Sequence, residues 1–361
     1  MIFISNIDTL YFLVDIENYQ THCKDILDFL RKEKEFALYK YKNGNNCIHL
    51  IDINNMTFSI NHTGSKGYAF IIKNADYEIS IAEYRSKIES FKPIKIRISS
   101  EALWNIGILE SYNTIINWIQ TTFGNIISES VYRIDLCNHS NIDYITNYDK
   151  SYKGNFKKRN INYSGSNINA ICFGSRDNKL IYCRIYNKTL EIEETKKKTW
   201  FKEIWKNNNL DVNNIWNLEF EIKSDFLRSK NLITFNDVYN HLQDLWRYCT
   251  ETWLLKINPT KTRSTRCEIN SDWLEIQNAF NNFSCNGLID REIIYNSDAS
   301  ILVPTIVGFI TSYSANKKIT NIENALSNLK IEFYNYFISK NTTFEKTVQK
   351  KISTQGGVSN E

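Results

Sequence analysis

Residues 171–188 read ICFGSRDNKLIYCRIYNK, and how this stretch is read decides the fold. Two runs of β-forming residues, 170–173 and 180–187, flank the turn-forming Gly174-Ser175-Arg176-Asp177-Asn178-Lys179, an order that predicts a β-hairpin. Side chains alternate along a strand, so Tyr182, Arg184, Tyr186 and Lys188 fall on one face while Cys183 and Ile185 point the other way. Two phenols beside two fixed cations suit an oxygen nucleophile approaching an anion, because the cations stabilise phenolate and phosphate alike. The same pattern also suits a half-exposed hairpin with a solvated basic face.

Two neighbouring stretches extend the pattern. In 131–139, Arg133, Asp135, Cys137 and His139 share a face; in 218–223, Glu219, Glu221 and Lys223 share one while Leu218, Phe220 and Ile222 face a core. Ordinary amphipathicity accounts for each strand alone. If the charged faces converge in one sheet, Asp135, Glu219 and Glu221 form a cluster of hard oxygen ligands suited to Mg²⁺ or Mn²⁺. Three anions packed together without a cation would repel, which favours the metal over three unrelated carboxylates. Between these strands, 144–166 interleaves Lys150, Lys153, Lys157, Lys158 and Arg159 with Tyr148, Tyr152, Phe156 and Tyr163. Cations that hold phosphates among rings that stack bases suit a nucleic-acid strand, and a solvated loop has the same composition.

Taken in order, YRIDL (132–136), CFGSRDNKLIYCRIYNK (172–188) and WNLEFEIKSDF (216–226) resemble the trans-acting Rep class of rolling-circle replication initiators, which are relaxase-like nicking endonucleases. The resemblance covers about residues 130–230. It implies an α+β fold with a mixed, largely antiparallel central sheet of the rolling-circle nuclease type and a helical C-terminal region. It further implies an endonuclease that nicks one strand at an origin hairpin and is joined through tyrosine to the 5′ phosphate. Tyr186 is then the nucleophile, with Tyr182 the second choice, and Asp135, Glu219 and Glu221 hold Mg²⁺ or Mn²⁺. Arg184, Lys188 and Lys223 contact phosphate, and Arg176, Lys157, Lys158 and Arg159 join them as DNA-binding residues. DNA, single-stranded at the nick, is the implied partner, with a host helicase and a homodimer as further ones. The chain departs from the family at Asn217, where an arginine is frequent, and at His139, where an acid is. It has no His-hydrophobic-His pair: His22, His49, His62, His139 and His241 are isolated. Two other readings stay open, a metal-dependent hydrolytic nuclease that leaves no protein–DNA adduct, and a non-enzymatic DNA-binding regulator of the same fold.

Composition bounds these readings. With 42% hydrophobic and 23% charged residues the 361-residue chain is globular, and 3 prolines and 12 glycines leave no room for a long Pro/Gly linker. A net charge of +4 makes clustering of cations matter more than their total. The 8 cysteines are spread singly without a C-x-x-C pair, as reduced buried thiols are. The apolar start carries Asp8 and Asp15 and lacks a basic head, so it reads as a strand of a cytoplasmic protein. The apolar run 301–310 falls short of the roughly 20 residues that a membrane span needs. Periodicity divides the chain into an α/β lobe (1–125), a nicking lobe (126–235), a helical region (236–345) and a flexible tail (346–361).

Overall fold

The computed structural model describes residues 2–44, 48–86, 91–177, 180–261, 263–288 and 303–355. Two compact units make up the chain, Met1–Arg291 and Glu292–Glu361. In the first, strands β1 (Phe3–Ile16), β2 (Leu50–Ile53), β3 (Met56–Ile60), β4 (Phe70–Lys73), β5 (Tyr77–Ile81), β6 (Ile94–Ile98) and β7 (Ile126–Ser140) are followed by β8 (Tyr152–Gly154), β9 (Arg159–Ser164), β10 (Asn167–Phe173), β11 (Ile181–Asn187), β12 (Trp216–Lys223) and β13 (Leu254–Lys256). Eleven of them form one antiparallel sheet in the order β2-β3-β4-β5-β6-β1-β7-β12-β11-β10-β9, while β8 pairs with β13. The fold is α+β around this sheet.

Alternation in the sequence sorts the sheet into an apolar and a polar face. Leu10, Phe12 and Val14 of β1, Ile94, Ile96 and Ile98 of β6 and Leu218, Phe220 and Ile222 of β12 are buried together in one core. Helix Lys24–Lys42 adds Leu27, Leu30 and Ala37 to it, and helix Ile108–Phe123 adds Ile115, Trp118 and Ile119. Trp118 is fixed there by donating from Nε1 to the Ile53 carbonyl at 3.0 Å. Under the other half of the sheet Phe220 packs edge-on against Trp246 and Trp253.

The 170–187 hairpin forms as its sequence predicts, with Ala170 opposite Tyr186 and Phe173 opposite Cys183. Gly174 opens the turn at φ +86° and donates its N–H to the Lys158 carbonyl at 2.8 Å, and an added Cβ would meet the Ile181 carbonyl and the Trp253 ring. Asn178 and Lys179 of this turn lie outside the described residues.

Several expected boundaries change. The division at 125/126 falls inside one continuous sheet, since β1 lies between β6 and β7 and pairs with both. Residues 188–207 hold two helices, Lys188–Thr195 and Phe201–Asn207, parted where Lys196 and Lys198 take φ +55° and +54°. The run 235–255 is helix Phe235–Tyr239, helix Leu242–Arg247, a π-turn Tyr248–Trp253 and then β13. Part of the basic-aromatic segment 144–166 becomes the sheet edge β9. Residues 346–355 of the expected flexible tail lie on helix Phe344–Gln355, and 356–361 lie outside the described residues, as does Cys47.

The second unit, taken by itself, holds helices Val303–Lys317, Ile322–Ser339 and Phe344–Gln355, whose Ile306, Phe309, Leu326, Phe333 and Phe344 line an open apolar groove. Among the described residues no helix is long and apolar enough to cross a membrane, and the seven described cysteines are unpaired.

Candidate active site on the polar sheet face

Antiparallel register turns the polar face into rows of side chains that cross the strands. One row runs Tyr186 on β11, Asn217 on β12, His139 on β7 and Ile4 on β1. The next runs Arg184, Glu219, Cys137, Asn6; the third, Tyr182, Glu221, Asp135, Thr9. Residues directly opposite in a ladder share a face and lie about 5 Å apart, so the rows bring together neighbours that the sequence holds 31 to 135 positions apart. The sequence-expected cluster of Asp135, Glu219 and Glu221 therefore forms, and Tyr182, Arg184 and Tyr186 join it.

Tyr186 sits at the junction of the first two rows. Its hydroxyl donates to Glu219 Oε2 at 3.1 Å and accepts from Lys188 Nζ at 3.2 Å and Asn217 Nδ2 at 2.9 Å. Lys188, 1% exposed, also pairs with Glu191 at 2.6 Å, and Arg184 pairs with Glu219 at 2.5 Å while stacking over the Tyr186 ring. Burial, with Glu219 close by, holds the Tyr186 phenol well above its ordinary pKa. Tyr182 is equally buried and is likewise raised by burial and its contact with Cys172. Tyr182 has Arg176 over its ring but, among the described residues, no carboxylate on its hydroxyl, so Tyr186 has the more complete set of proton and charge partners.

The three carboxylates meet three cations. Arg133 holds Asp135 through two hydrogen bonds of 2.7 and 2.6 Å and reaches Glu221 at 2.8 Å; Lys223 pairs with Glu221 at 3.2 Å; Arg184 takes Glu219. The positive charge that three packed acids require is supplied in this arrangement by Arg133, Arg184 and Lys223. Burial and the neighbouring Glu219 and Glu221 nevertheless push the Asp135 carboxyl up to about 7 against the pull of Arg133. As donors the three suit Mg²⁺ or Mn²⁺, yet in this arrangement each is engaged by a cation. Among the described residues no group of three or more acidic, histidine or cysteine side chains is arranged to hold a metal ion.

The far end of the face is roofed. Helix Phe201–Asn207 packs Phe201 and Trp205 on His139, which accepts from Trp205 Nε1 at 3.0 Å and stacks on Trp104. Burial, with Lys188 nearby, lowers His139 to a pKa of about 3, so it is a neutral structural acceptor. A β-bulge between Ile7 and Thr9 turns Asp8 out of the ladder to accept from Ser100 at 2.7 Å and pair with Lys198 at 3.3 Å. The sequence reading missed Asp8, Asn217 as a donor to the phenol, and Lys198; the acidic residue in an otherwise apolar opening strand was the one available signal.

The remaining expected DNA contacts are exposed. Lys157 and Lys158 are exposed in the connection before β9, and Arg159 donates to the carbonyls of Tyr148 and Asp149 at 3.0 Å. Arg176 is exposed in the hairpin turn, where its carbonyl accepts from Lys223.

No protein-family profile and no curated protein matches the chain. A solved structure described as a rolling circle replication initiator protein from Geobacillus stearothermophilus is similar to it at 12% identity and a TM-score of 0.45, over 80% of this chain and 100% of that one.

Proposed function

We propose that the protein is a rolling-circle replication initiator that nicks and rejoins one DNA strand through Tyr186. The observation that carries this reading is the Tyr186 hydroxyl held between a carboxylate acceptor, Glu219, and an ammonium donor, Lys188. Glu219 takes the phenol proton as Oη bonds to phosphorus; the bond from phosphorus to the 3′ oxygen breaks, and that oxygen leaves as a hydroxyl with a proton drawn from water. Lys188 and Arg184 stabilise the charge that develops on the phenol and the phosphoryl oxygens. Holding a free phenolate at pH 7 costs on the order of 4 kcal/mol, and burial adds to that, so deprotonation belongs in the attack itself. The phosphotyrosine bond conserves the energy of the phosphodiester, and rejoining then needs no nucleotide.

The divalent ion that the resemblance implies, Mg²⁺ or Mn²⁺ on Asp135, Glu219 and Glu221, stays part of the proposal and has its own test, nicking measured against each ion and against chelator. Origin DNA, a host helicase and a homodimer are the proposed partners. The hydrolytic reading keeps one observation of its own: a buried carboxyl at about 7, Asp135, suits a general base for water at neutral pH.

The test is incubation of the full chain with supercoiled DNA carrying its own gene's flanking region, with Mg²⁺ or Mn²⁺, read on denaturing gels and by peptide mass. A nicked circle with DNA on a peptide containing Tyr186 is expected, and Tyr186→Phe should abolish nicking while leaving DNA affinity within about twofold. Nicking without an adduct would replace this reading with hydrolysis, and unchanged cleavage by Tyr186→Phe would remove the assignment.

A further inference from the structure

A fourth row crosses the open end of the same face: Lys223 on β12, Arg133 on β7, Tyr11 on β1, Arg97 on β6 and Glu78 on β5. Three cations surround the single Tyr11 ring, with Lys95 Nζ at 5.4 Å, the Arg97 guanidinium at 5.7 Å and that of Arg133 at 5.4 Å from its centre. Lys95 also lies 5.3 Å from the centre of the Tyr132 ring. Tyr132 is the extra residue of a second β-bulge, between the pairs Tyr11–Arg133 and Phe12–Val131, and is 45% exposed.

This end differs in charge from the rest of the face. Arg133, Arg184, Lys188 and Lys223 each meet a carboxylate, whereas among the described residues neither Lys95 nor Arg97 makes an ion pair. Glu78 stands opposite Arg97 in the ladder without reaching it, and Arg97 Nε is buried with no hydrogen-bond partner. Like charges gathered on adjacent strands repel unless an anion joins them. A row of cations over about three strand spacings of ~4.8 Å, with ring faces between them, matches a chain of phosphates whose bases stack.

We propose that Tyr11, Lys95, Arg97 and Tyr132 form a track for single-stranded DNA, which leads along the sheet face to the Tyr186 site. The proposal rests on the nicking reading for the identity of its ligand. Lys95 and Arg97 take phosphates, and Tyr132, aimed outward by its bulge, stacks a base. Arg133 borders the track but is committed to Asp135 and Glu221.

The test measures binding of a fluorescein-labelled oligothymidylate to the full chain across a salt series. Replacing Lys95→Gln and Arg97→Gln together should weaken binding about tenfold or more and lower the slope of log K on log salt by about 1.4, since each phosphate contact on a single strand contributes about 0.7. Tyr132→Ala should weaken binding about tenfold with the slope unchanged, as loss of one stacking ring does. Unchanged affinity and slope in a double variant with the parent's melting temperature would overturn the track. If that variant melts lower, Lys95→Gln alone decides: a slope reduced by about 0.7 supports the proposal and an unaltered slope overturns it. The readout needs no cleavage, so a chain that binds along this row yet forms no Tyr186 adduct would lose the nicking reading and keep the track.

Discussion

The two ends of one sheet face carry similar residues and do different things with them. At the roofed end, Tyr186, Lys188, Glu219 and His139 are 9% exposed or less and each is hydrogen-bonded to a neighbour. At the open end, Tyr132 is 45% exposed, Arg133 keeps 25% of its side chain in solvent, and Lys95 and Arg97 face rings rather than acids. Both ends hold tyrosines beside cations. Burial makes the difference: in the closed end a phenol is short of water and bound to one carboxylate, which suits a single proton transfer, while in the open end the cations remain available to an anion from outside.

Removing one cation from each end should break the symmetry most strongly. Arg184→Met, at the roofed end, leaves Glu219 buried without its ion-pair partner and should lower the unfolding free energy at pH 8 by about 3–5 kcal/mol. Arg97→Gln, which separates no ion pair, should change it by no more than about 0.5 kcal/mol. Denaturant titration of the two variants compares the ends directly, and equal losses would mean that the open end is as much a part of the core as the closed one.

Acid titration sharpens the comparison within the closed end. His139 falls from its ordinary value to about 3, so the unfolded chain binds the extra proton, and the stability that His139 contributes is lost as pH falls below 6.5. Asp135 rises to about 7, so the folded chain binds the extra proton, and stability is lost as pH climbs from about 4 to 7. Between pH 4 and 6.5 the two slopes oppose each other, each about 1.4 kcal/mol per pH unit at most. The parent should therefore show a shallow profile of unfolding free energy in that window. Asp135→Asn should make it fall with acid, and His139→Gln should make it rise. Parallel profiles in all three proteins would contradict the charge states assigned here. The smallest effect belongs to Trp205→Phe, which removes the donor to His139 Nδ1 and should cost about 1 kcal/mol, with nicking unchanged.

Much of the site was legible before the sheet was seen. The strand pairing of 170–173 with 181–187, the shared face of Tyr182, Arg184 and Tyr186, and the outward set Glu219, Glu221, Lys223 follow from a two-residue period, which is a local property of the chain. Even the neutralisation of the acids was partly visible, since Arg133 and Lys223 stand two residues from Asp135 and Glu221 and so on the same face. The expectation of metal ligands gave the carboxylates their place but overlooked these cations.

What the amino-acid sequence determined by itself is the content of each strand: which residues face the core, where the hairpin turns, and which side chains on β7, β11 and β12 carry charge. Only the tertiary structure decided that β1 enters between β6 and β7, so that Tyr11 meets Arg97 and Arg133, Asp8 joins Lys198, and helix Phe201–Asn207 closes over His139. Periodicity says which way a side chain points, and register with a distant strand says what it points beside. Register is settled by packing of the whole core and by the bulges between β1 and β7, which no local pattern encodes.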